Sequence, residues 1–366
     1  MIKMKFNRDC KSFPGVYACE IMKTEGYEDC SNCMFYEPIE KKILIIQLGA
    51  MGDVVRSTSI LSAIKEKYGR NIKITWLTSQ ECKFFLENSQ HVDEILVYDY
   101  EIYLRLQQEE FDILFNLEIS PPATLLANLI NAKEKFGYFF DKDGHPSAFN
   151  KGAETYLHTA FSDYLNRITK KSYQELIFKA LDLEYKKQDY SFKPKINKEY
   201  AQTFLKINHL KKEDKILGIN IGSASRFPSK TWHLDKVKEL ISKIKEDYKI
   251  ILLGGPNELD KQEELEKLAI TNDFNNTMEE FCSVLSICDV LITGDSLHLH
   301  LAIAMKKPTI ALFFTTPSWQ IENYNFLKKI DSPLLENYFM SDQYHEELTK
   351  SISAEEVLKC LKSMSM

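Results

Sequence analysis

The stretch ILIIQLGAMGDVVRSTSIL, residues 43–61, decides the fold. Its first four residues are apolar, which is typical of a strand buried on both faces of a sheet. A turn containing Gly49 and Gly52 follows, and from Val54 to Tyr68 apolar side chains recur near helical spacing. A strand, a glycine turn and a helix in this order predict one repeat of a parallel α/β sheet, which binds ligands at the carboxyl ends of its strands.

The alternation continues along the chain and predicts two successive doubly wound α/β halves. Strands are predicted at Ile43–Gln47, Ile72–Leu77, Glu94–Tyr98, Asp112–Leu117, Lys215–Asn220, Lys249–Leu253, Val290–Thr293 and Thr309–Phe313. Helices are predicted at Val54–Tyr68, Glu81–Asn88, Ala123–Asn131, Ala153–Ile168, Tyr173–Leu181, Leu234–Tyr248, 258–269, Glu279–Cys288, 297–305 and Ala354–Lys362. The polar stretch 186–200, which contains Pro194, is predicted to be a linker.

Composition restricts the class of protein. The 366 residues are 44% hydrophobic and 27% charged, as in globular proteins of two or three domains. The net charge of -6 argues against a nucleic-acid partner. No apolar run approaches the ~18–20 residues that span a bilayer, and the charged N-terminus does not resemble a secretory signal. We therefore expect a cytoplasmic protein.

Cysteines cluster at the N-terminus. Four of the eight lie within the first 33 residues, with the spacing C-x8-C-x10-C-x2-C, and they are Cys10, Cys19, Cys30 and Cys33. Because thiols stay reduced in the cytosol, a local cluster favours a metal over disulfides. The cluster predicts a structural four-thiolate Zn²⁺ or Fe site, and unrelated reduced thiols are the alternative.

Asp53 stands at the start of the helix that follows the first glycine turn. It could be an N-cap, which is worth about 1 kcal/mol, or a general base aimed at a ligand. The turn does not have the G-x-G-x-x-G spacing of a dinucleotide site. The sequence leaves both roles open.

Three further loops follow predicted strands. The loop Gly222–Trp232 offers hydroxyls, Arg226 and Lys230 to a phosphate, although it could be a solvated surface loop. The segment Thr293–Leu301 opens a helix with Gly-Asp-Ser, and of its two histidines, which cannot share one helical face, we favour His300 as the ligand-facing one. Gly254–Glu258 suits a ribose diol or is an ordinary turn.

Together these segments resemble glycosyltransferase family 9, the heptosyltransferase family. The matching segments are ILIIQLGAMGDVVRSTSIL, NIGSASRFPSKTWHLDKVKELI, LLGGPNE and TGDSLHLHLAIAMKKPTIALF, in the family's order over about residues 43–320. The resemblance implies a GT-B fold, in which two Rossmann-like doubly wound domains face each other across a cleft. It predicts a cysteine-rich appendage (1–40), an acceptor-binding domain (41–190), a nucleotide-sugar-binding domain (191–335) and a helical tail (336–366).

The resemblance also implies the roles of individual residues. Asp53 would be the catalytic base, and Lys230 would assist the departing diphosphate. Donor-binding positions would be Gly222, Ser223, Ala224, Ser225, Arg226, Lys230, Glu258, Asp295, Ser296, Leu297 and His300. Acceptor-binding positions would be Gly52, Arg56 and Glu118.

The implied reaction is inverting transfer of a heptose from ADP-heptose to a hydroxyl, without a catalytic metal. The acceptor would be lipopolysaccharide core, another surface glycan or a protein, reached from the cytoplasm or the inner face of the membrane. Peripheral membrane contact and a homo-oligomer are left open. A catalytically degenerate nucleotide-sugar scaffold or sensor, and a GT-B nucleotide-sugar epimerase, are the alternatives.

Overall fold

The computed structural model describes residues 4–222 and 226–364, which form two compact units. The first unit comprises Met1–Gly49, Ser59–Leu157 and Leu176–Gln188. The second comprises Ala50–Thr58, His158–Glu175 and Asp189–Met366. The segment Ala50–Thr58, directly after the first strand and turn, is therefore packed with the second unit. The four domain limits expected from the sequence stay a prediction.

The first unit contains a sheet whose central strands are buried on both faces. Its strands are β1 (Lys41–Ile46), β2 (Ile72–Thr78), β3 (Glu94–Val97), β4 (Glu110–Asn116), β5 (Asn131–Phe140) and β6 (Pro146–Ala148). Their order is β3-β2-β1-β4-β5-β6, and all neighbours are parallel except the antiparallel pair β5–β6. The order reverses between β1 and β4, which is the position where such sheets bind ligands.

The second unit contains a parallel sheet. Its strands are β7 (Ile216–Asn220), β8 (Lys249–Leu253), β9 (Ile270–Thr271), β10 (Val290–Gly294), β11 (Thr309–Phe313) and β12 (Leu327–Asp331). Their order is β12-β11-β10-β7-β8-β9, so this order reverses between β7 and β10. Trp232 anchors the core beside this sheet, and its indole N–H donates to the carbonyl of Ile352 at 3.0 Å. The predicted α/β architecture with two doubly wound, mainly parallel sheets is confirmed.

Helices connect the strands in both units. They are α1 (Glu20–Glu25), α2 (Met51–Ser57), α3 (Ile60–Tyr68), α4 (Lys83–Glu87), α5 (Tyr100–Leu106), α6 (Pro121–Leu129), α7 (Lys151–Phe161), α8 (Asp163–Thr169), α9 (Tyr173–Ala180), α10 (Lys198–Ile207), α11 (Leu234–Ile244), α12 (Leu259–Leu265), α13 (Met278–Ile287), α14 (Leu297–Ala304), α15 (Glu346–Lys350) and α16 (Ala354–Ser363). Within residues 4–222 and 226–364, no helix combines the length and the apolar character needed to cross a membrane.

Several elements differ from the sequence prediction. The helix predicted over Val54–Tyr68 is two helices, because the Thr58 hydroxyl donates to the carbonyl of Val55 at 2.7 Å and α2 ends there. The helix predicted over Ala123–Asn131 ends at Leu129, and β5 begins at Asn131. The sequence does not predict β5, β9, β12 or α10. The three strands are short or half exposed, so their apolar pattern is weak.

Gly137 in β5 provides a test of one close backbone approach. Its φ is +90°, and a Cβ at this position would lie 1.8 Å from the carbonyl oxygen of Asn116 in β4. Gly144 has φ +88° but would meet nothing within 4 Å. We expect Gly144→Ala to cost about 1 kcal/mol, from backbone strain alone, and Gly137→Ala several times more. Thermal unfolding of both variants measures the difference, and equal losses of Tm would contradict the steric argument.

Candidate functional site

A largely buried ion pair lies at the carboxyl end of β10. The Nζ of Lys230 is 2.7 Å from the Oδ2 of Asp295, and the Thr316 hydroxyl donates to the same oxygen at 2.6 Å. The two charged side chains are 17% and 14% exposed. Burial favours the neutral acid, but the Lys230 charge and these hydrogen bonds hold the pKa of Asp295 well below its usual range. The pair is therefore ionised, and the charge of Lys230 is balanced within the protein.

Gly294 lets the turn that carries Lys230 reach the sheet. A Cβ at Gly294 would lie 2.1 Å from the Lys230 carbonyl oxygen, so no other residue fits without moving this backbone. The turn, Pro228–Lys230, is a single 3-10 segment. Its contact with the last residue of β10 places the ammonium group beside Asp295.

Asn220, the last residue of β7, organises the neighbouring loops. Its amide Nδ2 donates to the Gly222 carbonyl at 2.8 Å, to Thr293 Oγ1 at 3.1 Å and to Ser296 Oγ at 3.2 Å. Its Oδ1 accepts from the Gly222 N–H at 3.0 Å. One buried amide thus fixes both the start of the predicted phosphate loop and the N-cap residue of α14.

Glu258 lies directly against the start of that loop. A Cβ at Gly222 would lie 2.5 Å from the Glu258 carboxyl carbon, and the carboxylate accepts from the Gly255 N–H at 3.0 Å. Lys261 donates to the Ile221 carbonyl at 3.0 Å. The structure therefore brings the start of the predicted loop Gly222–Trp232 against the predicted loop Gly254–Glu258.

The middle of the phosphate loop is only partly described. The predicted donor-binding residues Ser223, Ala224 and Ser225 lie outside the described residues. Arg226 is exposed, and its guanidinium lies over the Phe227 ring at 5.2 Å from the centroid. Its charge therefore faces solvent at the mouth of the loop.

The N-terminal half of α2 carries the predicted base. The helix begins at Met51 with Ala50 as its N-cap residue, so Asp53 lies in the first turn and is not the N-cap. The Oδ1 of Asp53 is 2.6 Å from Nη2 of Arg56. Asp53 is 39% exposed and Arg56 only 16%. The carboxylate therefore keeps an accessible surface while the guanidinium is held in the protein.

The guanidinium of Arg56 packs on the face of the Tyr173 ring. The Arg56 Cζ lies 3.6 Å from the centroid of the Tyr173 ring, a cation–π contact. The Tyr173 hydroxyl is 2.7 Å from Ser57 Oγ, so the same ring is tied to the end of α2.

His300 is affected by the charges of both ion pairs. A Cβ on Gly52 would be 2.9 Å from His300 Cδ2, so the start of α2 packs directly on the imidazole. Burial lowers the pKa of His300 to about 4, and the charges of Arg56, Asp295, Asp53 and Lys230 all act on it. The ring is therefore neutral near pH 7. His298 instead bonds Ser296 Oγ at 3.2 Å and packs on Phe281.

One cluster in the second unit thus brings together residues that are far apart in the sequence. Its predicted members are Gly52, Asp53, Arg56, Lys230, Asp295 and His300, with Ser296 and Leu297 at the start of α14 and Gly222 and Glu258 beside Asn220. The cluster combines a partly exposed carboxylate, a neutral imidazole and a buried ion pair, which suits proton transfer next to an anion.

Glu118 lies in the first unit, where its carboxylate hydrogen-bonds the loop after β1. Its carboxylate accepts from the Leu48 N–H at 2.7 Å, from the Gly49 N–H at 3.2 Å and from Gln47 Nε2 at 3.1 Å, and it also bonds Ser120. These bonds position the turn that leads into α2. An acceptor-binding role for Glu118 stays a prediction.

The four N-terminal cysteines line one cavity. Cys10, Cys19, Cys30 and Cys33 surround a space of about 20 Å³, enough for one water-sized occupant, and none forms a disulfide. However, no three Cys, His, Asp or Glu side chains in the described parts of the chain are placed so that they could hold one metal ion. The predicted metal site is not confirmed.

An Asp-x-Asp sequence, which could hold a divalent ion, occurs at Asp141-Lys142-Asp143 in the turn between β5 and β6. The first carboxylate accepts from the backbone N–H of Asp143 at 3.0 Å and of His145 at 2.9 Å. This aspartate therefore has the ordinary task of closing a tight turn. That the reaction needs no metal stays a prediction.

Sequence reasoning missed four residues of the site. They are Asn220, Thr316, Tyr173 and Tyr190, whose hydroxyl lies 3.3 Å from His300 Nδ1. Asn220 could have been found, because it is a polar residue that ends an otherwise apolar strand. The other three are distant in sequence from the motifs, and no local pattern marks them.

A family model described as glycosyltransferase family 9 (heptosyltransferase) matches residues 100–350. The lipopolysaccharide heptosyltransferase 1 of Campylobacter coli is 25% identical over 308 residues, which cover 76% of this chain and 85% of that protein. The match includes most of both chains.

Two solved structures have a similar fold. The glycosyl transferase family 9 protein from Veillonella parvula DSM 2008 superposes with a TM-score of 0.69 at 22% identity, covering 88% of this chain and 96% of that one. The E. coli ADP-heptose lps heptosyltransferase II superposes with a TM-score of 0.64 at 16% identity, covering 88% and 98%. Because both sequence identities are below 25%, these two comparisons show a shared fold only.

The ion pair at β10 can be tested through stability. Lys230→Met leaves a buried carboxylate without its cation, and we expect a loss of about 3–5 kcal/mol, most of which Lys230→Met/Asp295→Asn restores. Without Lys230, burial raises the pKa of Asp295, so the single variant should lose stability as the pH rises from 5 to 8. In the parent protein the pKa is low, so this carboxyl contributes no such slope.

Urea unfolding of the parent, single and double variants between pH 5 and pH 8 measures these differences. A single variant as stable as the double variant at pH 8 would contradict a buried ion pair.

Proposed function

Since the chain belongs to glycosyltransferase family 9 (heptosyltransferase), and is therefore a glycosyltransferase, we propose that it transfers a heptose from ADP-heptose to a hydroxyl acceptor. The donor is supported by the name of the structural neighbour, an ADP-heptose heptosyltransferase. The acceptor proposed here is the lipopolysaccharide core, because the Campylobacter coli relative is a lipopolysaccharide heptosyltransferase. Another surface glycan or a protein would be an alternative outcome of the test.

The observation that carries the proposal is the cluster of charges around His300. A partly exposed carboxylate, Asp53, and the Lys230–Asp295 pair, which would lie on the phosphate side, both act on the same imidazole. Glycosyl transfer needs these two elements close together, because a proton leaves the acceptor while negative charge develops on the diphosphate.

In the proposed step, the acceptor oxygen forms a bond to the anomeric carbon and its proton passes to a carboxylate oxygen of Asp53. The bond between that carbon and the diphosphate oxygen breaks, and ADP leaves with the electron pair. Attack opposite the leaving group inverts the anomeric configuration. Arg56, which pairs with Asp53, keeps the carboxylate oriented and adds positive charge for an anionic acceptor.

The leaving diphosphate would be stabilised at the donor side. The backbone N–H groups at the start of α14 would face the diphosphate, and the exposed Arg226 would add positive charge. Lys230 would share its charge between Asp295 and the phosphates. Glu258, beside Gly222, would accept from the ribose hydroxyls. The chain would thus neutralise the diphosphate without a divalent ion.

The base assignment is tested with Asp53→Asn, which keeps an oxygen for Arg56 but cannot accept the proton. We expect heptosyl transfer to fall by a factor of about 10²–10⁴, while the Kd for ADP-heptose changes less than threefold. Transfer is measured by mass spectrometry of ADP release and of the glycosylated acceptor, and binding by calorimetry. Asp260→Asn, in α12 and outside the cluster, is the control.

Full transfer by Asp53→Asn would exclude Asp53 as the base. Turnover of ADP-heptose to an isomer without any acceptor would indicate an epimerase, and binding without turnover in the parent protein would indicate a scaffold or sensor.

We also propose that the four N-terminal cysteines hold a structural Zn²⁺ or Fe ion. Support comes from the common cavity that they line and from α1, none of whose residues is fully buried. A segment of this size without a core usually needs a staple. Ion binding would draw the thiolates together, since such sites rarely exist preformed.

This second proposal is tested by metal analysis of protein purified without chelators. We expect about one Zn or Fe per chain, its loss in Cys30→Ser/Cys33→Ser, and its retention in Cys360→Ser, a control distant in sequence. Absence of stoichiometric metal from the parent protein would show that the thiols are simply reduced.

A further inference from the structure

The segment Asp189–Phe192, which the sequence predicts to be part of a linker, is built into the second unit. Tyr190 is 7% exposed and Phe192 is fully buried. Tyrosine and phenylalanine in a flexible linker would be exposed, so this burial shows that the segment has a fixed place in the unit.

One side of the segment contacts α14 and the residues that follow it. The Tyr190 hydroxyl is 3.3 Å from Nδ1 of His300, and the two rings are 6.2 Å apart between centroids. Asp189 pairs with Lys306 at 2.6 Å on the surface, where both side chains are 61% exposed. Tyr190 is thus the buried contact and Asp189 the solvated one.

The other side of the segment contacts the end of α2. The backbone N–H groups of Ser191 and Phe192 both donate to Thr58 Oγ1, at 3.1 and 3.2 Å. Thr58 is the C-cap residue of the helix that carries Asp53 and Arg56. Four consecutive residues therefore join α2 to α14.

We propose that Tyr190 is a positioning residue, which holds the His300 imidazole in one tautomer and one orientation. The catalytic part of this proposal rests on the proposed function, whereas the tautomer part does not. Tyr190 acts through His300 and touches neither donor nor acceptor.

The surroundings of Tyr190 explain why its hydroxyl can hold the ring. Burial raises the pKa of Tyr190 well above its usual value, so the phenol keeps its proton, and Gln174 Nε2 donates to its oxygen at 3.2 Å. Because neutral His300 carries a single N–H, its bond at Nδ1 decides which nitrogen bears the hydrogen.

Tyr190→Phe removes this bond and keeps the ring. With ¹⁵N-labelled histidine, we expect one dominant His300 tautomer in the parent protein and a changed tautomer ratio in Tyr190→Phe. The kcat for transfer should fall about tenfold, the effect of one hydrogen bond, with the donor KM within twofold. His300→Gln assigns the NMR signal.

Two further variants separate positioning from general stability. Asp189→Asn removes only the exposed end of the segment and should leave the tautomer, kcat and Tm unchanged. Thr58→Val, which breaks the connection to α2, should lower both Tm and kcat but should leave the His300 tautomer as in the parent.

An unchanged His300 tautomer ratio in Tyr190→Phe would overturn the proposal, whatever the activity. A changed ratio with kcat within twofold of the parent would overturn the catalytic part. If the parent protein transfers no heptose, the proposed function fails, but the NMR result still decides whether Tyr190 positions His300.

Discussion

The close approach of Gly52 to the His300 ring is the constraint on which the site depends. The first turn of α2 can lie on the imidazole because position 52 has no side chain, and a Cβ would meet the ring at 2.9 Å. Asp53 is the next residue, so the same contact sets the distance between the proposed base and the start of α14.

The electrostatics of the cluster follow from burial. Charges in a region of low dielectric need partners, and the structure provides Asp53 for Arg56 and Lys230 for Asp295. Because both carboxylates are already paired, a protonated His300 would have no unpaired carboxylate in this cluster, and burial keeps the ring neutral. A neutral ring near two ion pairs leaves the charge balance of both unchanged, and it can still donate or accept one hydrogen bond.

Local pattern predicted the central strands of both sheets because they are apolar throughout, as strands buried on both faces must be. The predicted limits of Lys249–Leu253 and Thr309–Phe313 match β8 and β11. Local pattern failed at β5, whose sequence NAKEKFGYFF mixes charged and aromatic residues at the side of the sheet away from β1. It also failed at Thr58, where hydrogen bonds from Ser191 and Phe192 accompany the helix end.

The sequence by itself determined the α/β class, the glycine turns after the strands and the residue types of the site, since these depend on local spacing and backbone geometry. Only the tertiary structure decided that α2 packs in the unit of β7–β12, that Asp295 pairs with Lys230, and that Tyr190 bonds His300. Lys230 and Asp295 are 65 residues apart in the sequence, and Tyr190 and His300 are 110 residues apart. Such contacts arise from packing between elements, which no local sequence pattern predicts.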